Sequence, residues 1–311
     1  MTGLLVAWAA LPAGPFAYVT NQGSNDVSVV DLATNRTVAT VPVGQAPAGI
    51  AVHAATHRAY VSNPESKTLS VIDLASNQVV ATLPAGDGPV GIATAPDGGQ
   101  VYVADWFNNV LVVIDAATLK IVARIKVGKA PAGVAVNPTN GEIYVVNRDS
   151  NSVSVIDPKT SSVTATLSAG ERPFSAAVHP DGKRLYIVNV GSSTVSVLDS
   201  KKGKLLATVA VGNTPYCAAV APEGDRLFVT NHHADTVSVI DTATNKVVKT
   251  FPVGEYPEGI AIHGKQAYVV NWMDDNLSVV DTQDYHIIAT IPTGKNSRGF
   301  GQFIGVPKID N

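Results

Sequence analysis

The sequence predicts an all-β fold, a seven-bladed β-propeller whose blades are four-stranded antiparallel sheets. Two observations carry this prediction. A tetrapeptide that starts with an aromatic residue and ends with Asn or Asp occurs seven times, at a spacing of 42 residues between the first six copies and 40 before the last. Each repeat also holds four short runs rich in Val, Ile, Thr and Tyr. Four strands in about 42 residues are typical of one propeller blade. The tetrapeptides begin at Tyr18, Tyr60, Tyr102, Tyr144, Tyr186, Phe228 and Tyr268.

The second repeat shows the four strands in their order along the chain. Its runs cover residues 49–52, 58–62, 68–72 and 78–83. Branched and aromatic side chains suit a pleated surface, and turn sequences such as Pro-Asp-Gly at 96–98 separate the runs. No window has a sustained helical period, so the pattern excludes an α/β fold.

The C-terminal segment is expected to close the ring. The innermost strand occurs only six times before Ile262, and the missing copy is found at residues 293–303, which resemble residues 43–52. We expect this segment to complete the first blade by pairing beside the strand at residues 17–20. Closure of this kind removes the exposed strand edges of an open array.

The chain is therefore predicted to have three parts. Residues 1–16 form an N-terminal extension or a shortened export signal, residues 17–304 a single propeller domain, and residues 305–311 a C-terminal tail. The apolar stretch at residues 3–11 is shorter than the roughly 20 residues that span a bilayer, and no basic segment precedes it. A periplasmic, cell-surface or secreted location is the expectation, with a disordered tail as the alternative for this segment.

Composition narrows the class of partner. The net charge is −3, with 22 basic and 25 acidic residues, so no bulk field favours nucleic acid or an anionic membrane. Membrane insertion is not expected. The single cysteine, Cys217, excludes intrachain disulfides. It takes the place of a glycine or serine in the other repeats, which predicts a small packed side chain near the axis.

Two polar positions recur in every repeat and are interpreted as structural. An aspartate ends each third strand, and an asparagine, or Asp105 in one copy, ends each tetrapeptide. Such side chains bond backbone amides and hold tight turns. An active site occurs once, whereas these positions occur seven times. The aspartates are Asp31, Asp73, Asp115, Asp157, Asp199, Asp241 and Asp281.

The tetrapeptides, the phrase Val-Ser-Val-Ile-Asp and the phrase Val-Gly-x-x-Pro-x-Gly-Ile-Ala-Val resemble the YVTN (YNCA-like) β-propeller repeat family over residues 17 to about 304. The resemblance implies a seven-bladed propeller and an exported envelope protein, mostly without established enzymatic activity. Lactonase-like propellers and the haem d1-binding propeller of nitrite reductase have a similar architecture. No motif of either is present, so their chemistry is not carried over and no cofactor is expected.

Departures from the repeat point to a candidate site. The residue after the proline that opens each innermost strand is small in three neighbouring repeats and large or charged in the next four. Large residues also follow the tetrapeptide in the same sector. Convergent polar groups among aromatic rings suit a small-molecule pocket at the channel mouth. The predicted ligand-binding residues are Phe174, Tyr216, His232, Glu258, Trp272 and Arg298.

Four other interpretations of these residues stay open. Glu258 and Arg298 pair as ions while the aromatic rings plug the channel. His232 and Glu258 act as acid and base of a lactonase-like hydrolase or lyase, with Arg298 stabilising an anion. His232, His233 and Asp235 form a metal site, a weak alternative because no third ligand follows at a defined spacing. Single-stranded nucleic acid or another polyanion binds across a last set of residues. That set is Trp106, Arg148, Trp272 and Arg298.

Because catalytic spacing is missing, the sequence favours a non-catalytic propeller that binds a small molecule or an envelope protein. The hydrolase or lyase is the alternative function, and nucleic-acid binding as a single strand is a further one.

Deletion of residues 297–311 is predicted to give an insoluble or molten product, because the first blade would lose its innermost strand. Soluble yield and a thermal melt measure this. A soluble truncation that melts cooperatively would contradict ring closure.

Overall fold

The computed structural model describes residues 14–305 and arranges them in seven sheets, each with four antiparallel strands, that follow one another around a ring. This confirms the all-β, seven-bladed fold. Most of the predicted N-terminal extension and the last six residues of the predicted tail lie outside the described residues. No helix among residues 14–305 is long and apolar enough to cross a membrane.

The strands of the first three blades are numbered in chain order. Blade one begins with β1 to β3, blade two contains β4 to β7, and blade three contains β8 to β11. Their bounds are Phe16–Asn21, Asp26–Asp31, Arg36–Pro42, Gly49–His53, Arg58–Asn63, Thr68–Asp73, Gln78–Pro84, Pro89–Thr94, Gln100–Asp105, Val110–Asp115 and Lys120–Lys126.

Blades four to seven contain β12 to β27. Strands β28 and β29 lie in the C-terminal residues 293–305, which we call the closing segment. The bounds of β12 to β29 are Pro131–Val136, Ile143–Asn147, Ser152–Asp157, Ser162–Ser168, Pro173–Val178, Arg184–Asn189, Thr194–Asp199, Leu205–Ala210, Pro215–Val220, Arg226–Asn231, Thr236–Asp241, Lys246–Pro252, Pro257–His263, Gln266–Asn271, Asn276–Asp281, Ile287–Pro292, Phe300–Gln302 and Ile304–Gly305. Two short 3₁₀ turns, Ala54–Thr56 and Arg148–Ser150, complete the secondary structure of residues 14–305.

The tetrapeptide strand is the most deeply buried strand of each blade. In β13 the ring of Tyr144 is fully buried, and the Val residues that follow it are buried as well. The outermost strands alternate between exposed and partly buried residues, as in β7. Aromatic and branched side chains therefore fill the space between neighbouring blades, where burial of apolar area supplies most of the stability.

The asparagine that ends the tetrapeptide fastens two loops together. The Asn147 amide donates hydrogen bonds to the Ser152 hydroxyl at 3.2 Å and the Ser154 hydroxyl at 3.0 Å. Its oxygen accepts one from the Gly128 amide at 3.0 Å. A Cβ on Gly128 would lie 2.6 Å from Asn147 Cγ, so only glycine leaves room for this contact. The structural interpretation of the asparagine is confirmed.

The repeated aspartates and Cys217 also take the predicted structural roles. Asp241 Oδ1 accepts hydrogen bonds from the amide and hydroxyl of Thr244, both at 2.9 Å, and so holds the turn into the fourth strand. Cys217 is buried, and burial raises the pKa of its thiol. Space near the axis is tight, because a Cβ on Gly91 would lie 1.9 Å from the Ala132 carbonyl oxygen.

The closing segment enters the first blade as predicted. The Arg298 amide donates to the Thr20 carbonyl at 2.7 Å, and the Tyr18 amide donates to the Phe303 carbonyl at 2.8 Å. Strand β29 then pairs antiparallel with the start of β1. The first blade therefore has the order β29-β1-β2-β3, which closes the ring.

The middle of this segment differs from the predicted register. Strand β28 leaves the first blade and pairs in parallel with β4 of the second blade, through the three pairs from Phe300–Gly49 to Gln302–Ala51. Positive φ angles at Gly299 (73°) and Gly301 (121°) allow this departure. The segment that resembled an ordinary innermost strand therefore belongs to two blades.

Replacement of Asn147 by Ala is predicted to destabilise the protein by about 1–3 kcal/mol, because the Gly128 amide loses its acceptor and the Ser152 and Ser154 hydroxyls lose their donor. Urea unfolding monitored by circular dichroism measures the change. Asn213→Ala is the control, since Asn213 is exposed and its side chain bonds only Thr214 within the described chain. Equal unfolding midpoints for the two variants would contradict the proposed role of Asn147.

Candidate functional site

Loops of two kinds share one face of the ring, which we call the upper face. One kind joins successive blades, and the other joins the second strand of a blade to the third. Pro257 at the start of β24 pairs with Asn271 at the end of β25, so both loop kinds meet at this face. The turns between first and second strands form the opposite, lower face.

An ion pair between adjacent blades lies at the centre of the upper face. Arg298 Nε donates to Glu258 Oε2 at 2.6 Å, and Arg298 Nη2 donates to Glu258 Oε1 at 3.2 Å. The Glu258 residue is only 3% exposed. A bidentate contact of this kind satisfies both carboxylate oxygens in a site that water hardly reaches. The ion pair that the sequence offered as an alternative is therefore present.

Each member of this ion pair stabilises the charged form of the other. Burial alone would raise the pKa of the Glu258 carboxyl, but the Arg298 charge, the hydrogen bonds from Arg298 and the nearby His232 ring outweigh this effect. The net pKa of Glu258 lies below its usual value. The pKa of Arg298 lies above its usual value, because the attraction of Glu258 exceeds the effect of burial. Both groups are charged at neutral pH.

Three aromatic rings pack beside the ion pair. The ring centroids of Phe174 and Tyr216 are 4.4 Å apart, and those of Phe174 and Phe300 are 5.2 Å apart. The Tyr216 hydroxyl accepts a hydrogen bond from Arg298 Nη2, and Arg298 Cζ lies 5.9 Å from the Tyr216 ring centroid. We call Phe174, Tyr216, His232, Glu258 and Arg298, together with Phe300, the upper cluster.

His232 connects this cluster to the rim. Its ring stacks on Tyr216 at 5.4 Å, and its Nε2 lies 3.6 Å from Glu258 Oε1. On the other side it contacts Tyr256, with a centroid distance of 4.8 Å. Within residues 14–305 its buried Nδ1 has no hydrogen-bond partner.

A patch of aromatic and sulfur-containing side chains lies beyond His232. The Tyr256 and Trp272 rings are 6.2 Å apart, the His233 and Tyr256 rings 5.5 Å apart, and Met273 follows Trp272. Met273 is 49% exposed. We call His233, Tyr256, Trp272 and Met273 the upper patch. Trp272, the sixth predicted ligand-binding residue, thus reaches the other five through Tyr256.

The metal alternative lacks a ligand set. The His232 and His233 rings are 5.0 Å apart, but Asp235 Oδ1 accepts a hydrogen bond from the Tyr256 amide at 2.9 Å and holds a loop. His233 Nδ1 contacts the Thr214 hydroxyl at 3.1 Å. In the part of the chain that the structure describes, no group of three or more His, Cys, Asp or Glu residues is placed to hold a metal ion.

The polyanion alternative divides its residues between two places. Arg148 Cζ lies 5.6 Å from the Trp106 ring centroid, in blades three and four. Trp272 and Arg298 lie in blades seven and one. Arg298 already donates to Glu258 through both Nε and Nη2, so the Glu258 carboxylate neutralises its charge.

One member of the upper cluster was missed by sequence reasoning. Phe300 takes the place that Ile50, Ile92, Val134 and Ile260 hold in other repeats. It is therefore an aromatic exception at an aliphatic position. The comparison of repeats that found Glu258 and Arg298 could have found it too, had it been extended two residues along the chain.

The fold defines the class of this protein as a closed seven-bladed β-propeller with four-stranded antiparallel blades. A sequence model described as YNCE-like beta-propeller matches residues 15–140, which hold strands β1 to β12. This match confirms the predicted resemblance over that part of the chain. No curated protein matches the sequence.

Solved structures extend the similarity to the whole ring. Hydrazine synthase from Kuenenia stuttgartiensis has a TM-score of 0.79 and 22% identity, covering 91% of this chain and 99% of that one. A functionally unknown protein from Desulfotomaculum acetoxidans has a TM-score of 0.81 and 18% identity, covering 94% and 99%. Dihydro-heme d1 dehydrogenase NirN, in complex with DHE, has a TM-score of 0.70 and 19% identity, covering 92% of this chain and 65% of that one. At these identities the similarity shows the fold alone.

Replacement of Glu258 by Gln is predicted to lower the free energy of unfolding by about 3–5 kcal/mol at pH 7, because it leaves Arg298 buried without a counter-charge. Since the folded pKa of Glu258 is depressed, the ion pair stabilises the wild type above the unfolded pKa of about 4.3 and is lost as the pH falls further. The difference between variant and wild type should therefore shrink below about pH 4.

Denaturant unfolding at pH 7 and at pH 3 measures this difference. Lys67→Met is the control, because its ion pair with Asp87 is exposed and such pairs contribute at most about 1 kcal/mol. A Glu258→Gln variant as stable as Lys67→Met at pH 7 would show that the buried pair has no special role.

Proposed function

We propose that this protein is a non-catalytic binding propeller that holds a small molecule or a partner protein on its upper face. The binding surface consists of the upper patch and the exposed part of the upper cluster. Of the six residues that sequence comparison singled out, Glu258 is buried and supports this surface from below. The other five are Phe174, Tyr216, His232, Trp272 and Arg298.

The observation that carries the proposal is the contact between departures from the repeat. Chemically unlike side chains from blades five, six, seven and one touch in sequence, from Phe174 through Tyr216 to Arg298 and Glu258. Elsewhere the equivalent positions hold the small residues Ala48, Val90 and Ala132. Rings that are partly exposed and held on a rigid, ion-paired base lose little conformational entropy on binding, which favours recognition of apolar or aromatic groups.

Binding fits this geometry better than acid–base catalysis does. A general acid or base must reach the substrate proton. The Glu258 carboxylate is buried and has both oxygens on Arg298, and its lowered pKa keeps it ionised. Arg298 is correspondingly neutralised and poorly placed to stabilise an anion. The hydrolase or lyase therefore stays the alternative, without an observation that favours it.

We further propose that the protein works in the periplasm, at the cell surface or outside the cell. Support comes from the resemblance to exported repeat propellers and from the apolar N-terminal segment. N-terminal sequencing of the protein from the exported fraction tests this, with a start before Ala17 as the expected result.

Trp272→Ala is predicted to strip a bound ligand or partner from protein purified from its own source, because it removes the largest ring of the upper patch. Native mass spectrometry with elemental analysis measures the bound mass. Trp106→Ala is the matched control, since Trp106 follows the tetrapeptide of blade three in the same way.

Retention of the same bound mass by both variants would contradict the proposal. A bell-shaped pH–rate profile with a candidate lactone, abolished in a folded His232→Ala variant, would favour the hydrolase instead.

A further inference from the structure

A cavity lies along the axis and opens on the lower face, opposite the upper patch. Its volume is about 780 Å³, within the range of roughly 300–1,000 Å³ that small-molecule sites occupy. The innermost strands of blades two to seven and the closing segment form its wall. Its mouth lies among the turns that join the first and second strands of the blades, near Pro96 and Pro138.

The inner end of this cavity is built by the unusual course of the closing segment. Phe300 lines it, and its Cζ lies 3.5 Å from where a Cβ on Gly133 would be. Phe174 and Tyr216 pack on the far side of the Phe300 ring, at centroid distances of 5.2 Å and 6.2 Å. The Phe300 ring therefore separates the cavity from the upper face.

The wall presents both apolar and polar surface but no charged side chain. Ile92, Val134, Ala176 and Ile260 belong to its apolar part, and no Asp, Glu, Lys or Arg is among the described residues that line the cavity. Cys217 also lines it, and burial raises the pKa of its thiol, so the thiol stays protonated. An ionic ligand would lose its hydration without gaining a counter-charge, which disfavours it strongly.

Polar side chains from several blades line the cavity, including Thr94 of blade three, Ser175 of blade five, His263 and Gln302. His263 belongs to blade seven and Gln302 to the closing segment, which are adjacent in the ring. Neither side chain makes a hydrogen bond within residues 14–305, whereas His53 on the next blade already contacts Pro96 and Thr56. The cavity therefore combines apolar surface with hydrogen-bonding groups that are free to bond a ligand.

We infer that this cavity is a binding site for an uncharged small molecule that has both an apolar body and hydrogen-bonding groups. The apolar body fills the space below Phe300, and a hydrogen-bonding group faces Gln302 and His263. The site is separate from the proposed upper-face surface, so each can exist without the other.

Fluorescence titration with the neutral apolar probe N-phenyl-1-naphthylamine tests the site. We expect saturable binding of one probe per chain, weakened by about tenfold or more in Gln302→Trp, where the new ring blocks the mouth. Gln45→Trp is the matched control, because Gln45 is an exposed glutamine on the upper-face loop. It should bind the probe like the wild type, as should Trp272→Ala.

Competition between the probe and smaller ligands tests whether Gln302 bonds a polar group of the ligand. 2-Naphthol should displace the probe better than naphthalene does, and Gln302→Leu should reduce this preference. If Gln302→Trp does not fold, as judged by circular dichroism, His263→Trp replaces it at the same mouth.

Three results would overturn the inference. The wild type fails to bind the probe saturably, which indicates a channel that holds only water. Gln45→Trp weakens binding as much as Gln302→Trp. Binding is lost in Trp272→Ala but kept in Gln302→Trp, which would place the probe on the upper patch instead.

Discussion

Ring closure is the constraint on which the rest of this structure depends. Seven blades share one axis only if the last segment bonds to the first strand, and backbone hydrogen bonds at Thr20 and Tyr18 make that connection. The side chain of Thr37 adds a link from the outer strand of blade one to the Pro292 carbonyl at 2.6 Å. Closure requires segments far apart in sequence to meet, which costs conformational entropy. The contacts of the completed ring offset this cost.

Closure also creates the chemistry of the upper face. Arg298 reaches Glu258 because its segment joins blade one, next to blade seven. The two residues are 40 positions apart in sequence, and docking of the closing segment in blade one holds the Arg298 guanidinium against the Glu258 carboxylate. Either charge would be costly to bury without the other. The same segment places Phe300 against Phe174 and Tyr216. One stretch of chain thus completes the ion pair and divides the axis into an upper, filled end and a lower, open end.

The residues that depart from the repeat lie together on the upper face, whereas the positions that recur in every blade have structural roles. Symmetric positions such as Asn147 and Asp241 hold loops and turns, and their contacts recur from blade to blade. Binding needs unlike groups side by side, which a symmetric ring provides only by breaking its own pattern. The buried pair and the aromatic rings break it over four adjacent blades, while blades two to four keep small residues at the equivalent positions.

The sequence by itself determined the number of blades, the strands in each blade and the structural role of the repeated Asp and Asn. It also singled out Glu258 and Arg298, because each repeat serves as a reference for the others. These properties are local or periodic, so neighbouring residues along the chain specify them. Only the tertiary structure decided that Glu258 and Arg298 bond each other, that β28 pairs with β4, and that Phe300 closes the lower cavity. Those contacts join different blades through the closing segment, so their distances depend on where that segment docks in the completed ring.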